Sequence, residues 1–261
     1  MAGRRRGGGA LRRLTGRLIG AVVVVLLSCL LAAVGAVLAL RYLNPPTSAF
    51  MLEASAHARL AGERHYHTDY RWESLAAMSP EPAIAVVASE DQHFPDNDGF
   101  DFDSIRAALR AHERGERLRG ASTITQQVAK NLFLWSGRSF VRKGLEAGLT
   151  VLVDHLWTKQ RILEVYLNIA QFGPGTFGVE AAAHRYFRTN ATHLTRDQAA
   201  LLAAVLPDPL RLHPNAPSPY VIAQHDWILQ QIANLGGPGY LGTVAPRFAP
   251  LGARLAAHPA P

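Results

Sequence analysis

Leu18 to Leu40 is a run of 23 residues without a charge, LIGAVVVVLLSCLLAAVGAVLAL. At about 1.5 Å per residue a helix of that length spans roughly 35 Å, enough for a hydrocarbon layer of about 30 Å. A cleaved signal peptide is the competing reading, and Ala32–Gly35 could mimic its cleavage site. Such peptides carry an apolar core of only about 7–15 residues. The longer run is read as a retained anchor, with Cys29 inert inside it. Six Arg (4, 5, 6, 12, 13 and 17) precede it and no acid does, so the N-terminus stays cytoplasmic and the rest faces outward.

These six Arg also decide what the net charge of +7 means. Without them the chain has 21 basic and 20 acidic residues. A surface that tracks nucleic-acid phosphates would need its charge in the body, so no nucleic acid is expected. A single Cys excludes a disulfide framework and a thiolate zinc site.

Beyond the anchor, 261 residues leave room for one well-buried body. The expected division is 1–17 basic tail, 18–40 anchor, 41–80 irregular connector, 81–237 body, and 238–261 a loosely ordered Pro/Gly/Ala-rich tail. Helical signals dominate the body. Asp103 or Ser104 can cap a helix carrying Ile105 and Leu109. Val141, Leu145, Leu149, Leu152 and Leu156 recur at helical spacing. Thr158 can cap a helix through Ile169. Thr195 and Gln198 form a capping-box pattern before AALLAAVL, and Ser218–Pro219 open a last helix ending at Gly236–Gly237. The fold class is mostly α.

Four segments crowd polar residues where a plain helical protein would be apolar. In AVVASEDQHFPDNDGFD (85–101) an apolar run delivers Glu90 and Asp91. Partial desolvation there would raise a carboxylate toward a working base, whereas solvated acids at a helix end are the plain alternative. In GASTITQQVAKNLFL (120–134), Ser122, Thr123 and Thr125 open a helix presenting Gln126, Gln127, Lys130 and Asn131. A helix start suits phosphate oxygens, although a capped amphipathic helix looks alike. In SFVRKGLEAGL (139–149), Arg142, Lys143 and Glu146 share a helix face, as a catalytic set or a structural salt bridge. In RILEVYLNIAQFGPGTFGVEAAAHRYF (161–187), a helix breaks at Gly173, Gly175 and Gly178 into a loop that could shape a groove or merely link helices.

Together these segments resemble the glycosyltransferase domain of peptidoglycan polymerases, glycosyltransferase family 51, over roughly residues 80–215. The wording LFLWSGRSFVRKGLEAGLT is most similar to the monofunctional biosynthetic transglycosylases of Gram-negative bacteria. A penicillin-binding domain is not expected: none of the three Lys (130, 143, 159) lies three residues after a Ser.

The resemblance implies a lysozyme-like helical fold with a smaller membrane-proximal lobe in the bacterial inner membrane. It implies polymerisation of lipid II, a disaccharide-peptide on undecaprenyl diphosphate, onto a nascent glycan strand. Carried over by position, Glu90 is the general base and Glu146 the second carboxylate. Lys130, Arg142 and Lys143 lie where the family holds diphosphate; Asp91, Phe94, Ser122, Thr123, Gln127 and Asn131 complete the substrate-binding set. No cofactor is obligatory, and a divalent cation, Mg or Mn, is allowed. The partners implied are the membrane, both glycan substrates, and proteins of cell-wall synthesis and division. Moenomycin, which resembles the lipid-linked donor, should compete for the groove.

This chain departs from the family pattern twice. Asn97 stands where the family usually has His, and Ala121 where it has Gly. Two rival readings are a lysozyme-like lytic transglycosylase and a non-catalytic, membrane-anchored precursor-binding scaffold. The cations argue against the first and both carboxylates against the second. An Asp101-x-Asp103 metal site would need a nucleotide-binding α/β fold. His65 and His67 are read as surface residues.

Overall fold

A computed structural model describes residues 7–114 and 122–249. Arg4, Arg5, Arg6, Gly120, Ala121 and tail residues 250–261 lie outside the described residues. The chain divides into two units, Met1–Leu43 and Asn44–Pro261. The first is helix α1 (Gly7–Leu40), whose stretch Leu14–Leu40 is long and apolar enough to cross a membrane. Its large apolar side chains are mostly exposed, Leu26 by 63% and Leu31 by 72%, unlike those of a core helix.

The second unit is mostly α, as expected. Its elements run α2 (Ala49–Leu60), β1 (Asp69–Tyr70), α3 (Pro80–Glu90), α4 (Phe102–Glu113), α5 (Ile124–Phe133), α6 (Phe140–Leu156) and α7 (Lys159–Ile169). There follow β2 (Gln171–Gly173), β3 (Thr176–Phe177), α8 (Val179–Phe187), α9 (Arg196–Val205) and α10 (Pro219–Asn234). Short 3-10 turns cover Ala191–His193, Gly237–Gly242 and Pro246–Phe248.

Local chemistry sets the helix starts. Ser48, Thr123, Ser139, Thr158, Thr195 and Ser218 each accept a backbone N–H with the side-chain oxygen, filling donors that a first turn leaves open. Thr123–Gln126 and Thr195–Gln198 are complete capping boxes. α4 starts earlier than expected: neither Asp103 nor Ser104 caps it, because Asp101 Oδ1 accepts the Ser104 N–H at 2.8 Å.

The core centres on α3. Every residue from Pro82 to Ala88 is buried, so the helix is apolar on all sides and packs against α7, α9 and α10. A small sheet in the order β1-β3-β2 closes one side, with β3 parallel to β1 and antiparallel to β2. The glycines on either side of β3 are steric requirements. At Gly175 (φ 68°) an added Cβ would lie 2.6 Å from the His67 carbonyl oxygen, and at Gly178 (φ 86°) 2.6 Å from that of Asn168.

Two expectations need correction, and the orientation of one helix is set by the structure alone. Residues 44–80 are part of the body: α2 forms, and Met51, Leu75 and Met78 are buried. Asn168 holds residue 73 to α7 by bonding both its backbone N–H and carbonyl, while Glu164 accepts the Leu75 N–H at 3.0 Å. Residues 238–249 are no loose tail, because Leu241, Val244, Ala245 and Phe248 are buried. The Arg247 guanidinium donates to the carbonyls of Leu75 and Met78, and Tyr240 Oη donates to that of Gln92 at 2.7 Å. Finally, the apolar stripe of α6 faces outward at Val141 (72% exposed) and Leu145 (48%), whereas Glu146, Thr150 and Val153 are the buried residues. The helix turns inward the face that carries a paired carboxylate.

Candidate active site

The C-terminal end of α3 delivers Glu90 to the rim of a cleft. Its Oε2 accepts from Gln127 Nε2 on α5 at 2.8 Å, and its Oε1 from Ser89 Oγ at 3.2 Å. Burial raises the Glu90 pKa above the ordinary carboxylate value; these two bonds and the charge of Lys130 oppose the rise without cancelling it.

The next residue turns the other way. Asp91 is buried, with Oδ2 on the Ile124 N–H at 3.0 Å and Oδ1 on Asn97 Nδ2 at 2.9 Å. Burial pushes its pKa up to about 6 despite both bonds. Asn97 Oδ1 accepts from the Gly99 N–H at 3.2 Å and from Lys159 Nζ at 3.1 Å, and Lys159 is paired with Asp154 at 2.9 Å. Thr123 Oγ1 donates to the Gly99 carbonyl at 2.7 Å. This network fastens the loop after α3 to the first turn of α5. Phe94 lies within it, fully buried, with the Lys159 ammonium 5.1 Å from its ring centre. Phe94 therefore shapes the frame of the cleft, and Asp91, which lines the same pocket as Glu90, has both carboxylate oxygens bonded into that frame.

Two pockets meet at the Glu90–Gln127 bond. One, of about 190 Å³, is lined by Glu90, Ser122, Thr123, His93, Asp101 and Ser104. His93 Nδ1 lies 2.8 Å from Asp101 Oδ2, a contact that raises the His93 pKa, and Ser104 Oγ donates to the same oxygen at 2.6 Å. The other, of about 270 Å³, holds Gln127, Lys130, Asn131 and Tyr166 against the Leu206–Leu210 segment. Through Phe50, Gln171 and Leu210 it borders a wider groove of about 750 Å³ walled by α2.

Lys130 lines the second pocket, and Arg142 and Lys143 lie close enough to act on it by charge. Burial lowers the Lys130 pKa; Glu146 and Glu90 pull it up, while Arg142 and Lys143 push it down, so Lys130 senses both carboxylates. Its Nζ stands 5.4 Å from the Phe50 ring centre. Glu146, 2% exposed, accepts from Arg142 at 2.6 Å and from Lys143 at 2.5 Å. Arg142 Nε and Asn131 Oδ1 are buried without a hydrogen-bond partner in the structure. Unsatisfied polar atoms of that kind suit a polar ligand.

Both oxygens of Glu146 are taken by its cations, and Glu90 accepts from Gln127 and Ser89. Among the described residues no cluster of three or more His, Cys, Asp or Glu side chains could hold a metal. No ready-made cage of protein carboxylates for a divalent cation is thus present among the described residues. His65 and His67 are exposed, as expected.

Sequence reasoning passed over His93, Ser104, Tyr166 and Phe50. His93 was visible inside the first segment and Tyr166 inside RILEVYLN, but neither stands out by type. Phe50 reaches the site only through α2, which lay inside the expected connector.

A family model described as Transglycosylase matches residues 57–233. The biosynthetic peptidoglycan transglycosylase of Pectobacterium carotovorum subsp. carotovorum is 53% identical over 237 residues, covering 90% of this chain and 96% of the relative. That of Pectobacterium atrosepticum is 52% identical over 239 residues, covering 91% and 96%. That of Klebsiella oxytoca is 52% identical over 218 residues, covering 83% and 90%.

Proposed function

Since the chain belongs to the transglycosylase family, we propose that it polymerises lipid II into glycan strands and releases undecaprenyl diphosphate. The observation that carries this reading is Glu90 at the junction of a hydroxyl-lined pocket and a cationic one. The acceptor's sugar hydroxyl enters from the first pocket and the donor's diphosphate occupies the second. The hydroxyl oxygen attacks the donor's anomeric carbon and its proton passes to Glu90. The new C–O bond forms as the bond to the diphosphate oxygen breaks on the opposite face, and the configuration inverts from α to β. The raised pKa makes Glu90 a stronger base than a solvated carboxylate.

Charge builds on the leaving diphosphate, where Lys130, Arg142 and Lys143 converge. Fixed donors aimed at developing charge contribute about 10²–10³ in rate. Glu146 holds two of these cations in place. A divalent cation, where present, would ride on the diphosphate. α1 would anchor the chain in the bacterial inner membrane, N-terminus inside and body outside, beside substrates that are themselves lipid-held.

The test is turnover of fluorescent lipid II by the full chain, read on a gel with and without muramidase. A ladder that muramidase collapses is expected, and Glu90→Gln should lose at least about a hundredfold in rate while folding normally. Normal polymerisation by Glu90→Gln would overturn the assignment of the base. An anhydro-sugar released from finished wall, with no use of lipid II, would point instead to a lytic enzyme.

A further inference from the structure

Tyr166 lies on α7, 1% exposed, and the reaction as described does not use it. Its hydroxyl lies 3.3 Å from Gln127 Oε1, and the other end of the same amide donates to Glu90 at 2.8 Å. The two ends of an amide are almost alike in shape and opposite in polarity. With the NH2 end toward Glu90, the ionised carboxylate gains a donor. With the amide turned over, an oxygen faces the carboxylate, and only protonated Glu90 can bond to it. Steric fit does not choose between the two states; the hydrogen bonds at the two ends of the amide do.

At the far end Tyr166 places its hydroxyl proton on the Gln127 oxygen, which adds to the state with the NH2 end on Glu90. Burial, and the nearby charges of Glu90 and Asp91, hold its pKa well above 10, so its proton stays in place at neutral pH. We propose that Tyr166 is a positioning residue for transglycosylation: its hydroxyl locks the Gln127 amide with the NH2 end on Glu90. Tyr166 also lines the pocket assigned to the diphosphate, but the role proposed here is exerted through Gln127. The proposal rests on Glu90 being the base.

Tyr166→Phe keeps the ring and removes the hydroxyl. Loss of one hydrogen bond that orients a donor on a charged group should lower kcat at neutral pH by about tenfold, with KM for lipid II within about twofold. The turned amide favours protonated Glu90, so the acidic limb of the kcat–pH profile should move to higher pH. Gln127→Ala should shift the limb the same way, and Tyr166→Phe added to it should change kcat by less than about twofold, since contacts acting through one partner are not additive. Independent, multiplying effects would overturn the proposal, as would an unmoved limb in Tyr166→Phe. If a thermal melt shows Tyr166→Phe unfolded, an unmoved limb in Gln127→Ala overturns it equally. Glu90→Gln in the same series separates the two ideas. An inactive Glu90→Gln beside a normal Tyr166→Phe sinks only the positioning role, whereas an active Glu90→Gln sinks the base.

Discussion

Asn97 Nδ2 donates to Asp91 Oδ1 at 2.9 Å, inside the protein and behind the cleft. The residue that departs from the family's usual His is thus a strut. It joins Asp91, the Gly99 N–H and Lys159.

That placement separates stability from activity. Asn97→Ala leaves two buried groups, Asp91 and the Gly99 N–H, short of a partner, at about 1–3 kcal/mol each before relaxation, and the melting temperature should fall by several degrees. Asn97→His can still donate to Asp91 and should keep lipid II turnover within about tenfold. A change of several hundredfold would show that residue 97 enters the chemistry directly.

Glu146 should behave differently from Glu90. Replacing it with Gln strands the Arg142 guanidinium, whose side chain is 11% exposed. Breaking a buried pair costs roughly 3–5 kcal/mol; the loss should lie at the lower end because Lys143 is 49% exposed. Donor binding, read by moenomycin displacement and by KM, should weaken more than kcat falls. Normal moenomycin binding by a folded but dead Glu146→Gln would exchange the roles of the two carboxylates.

Asp91 makes a pH prediction whose sign is fixed. Its pKa is about 6 in the folded chain against 3.8 for an ordinary Asp carboxyl. The folded state therefore holds the proton more tightly. This contribution is complete below about pH 4 and is lost as pH rises to about 6, amounting to roughly 3 kcal/mol. Glu90, also raised, acts in the same direction. In thermal melts from pH 4 to pH 6, Asp91→Asn should fall less, or rise more, than the parent. Parallel curves would mean that Asp91 titrates normally.

How far the sequence reached can be judged residue by residue. Thr158, Thr195 with Gln198, and Ser218 announced helix starts correctly, because capping is a contact within three residues. The α6 repeat was visible, but a period says nothing about which side faces in, and the Arg142–Glu146 pair took the inner one. Met51, Met78, Leu241 and Phe248 escaped notice because their partners are far along the chain and their segments too short to show a period. The two carboxylates and three cations could be named from motifs. The division of labour between Glu90, facing the cleft, and Asp91, bonded into its frame, needed the third dimension.

The bonds from Tyr240 to Gln92 and from Arg247 to Leu75 and Met78 lie beyond the matched residues 57–233, and they grip the chain on either side of α3. A rod held at both ends has its axis fixed, and the end of this rod is Glu90. Proteins are made from the N-terminus, at about 5–20 residues per second. Every motif of the cleft has been synthesised before either clamp exists. The nascent chain thus carries a complete set of reactive groups before it carries the contacts that clamp both ends of the helix bearing the base.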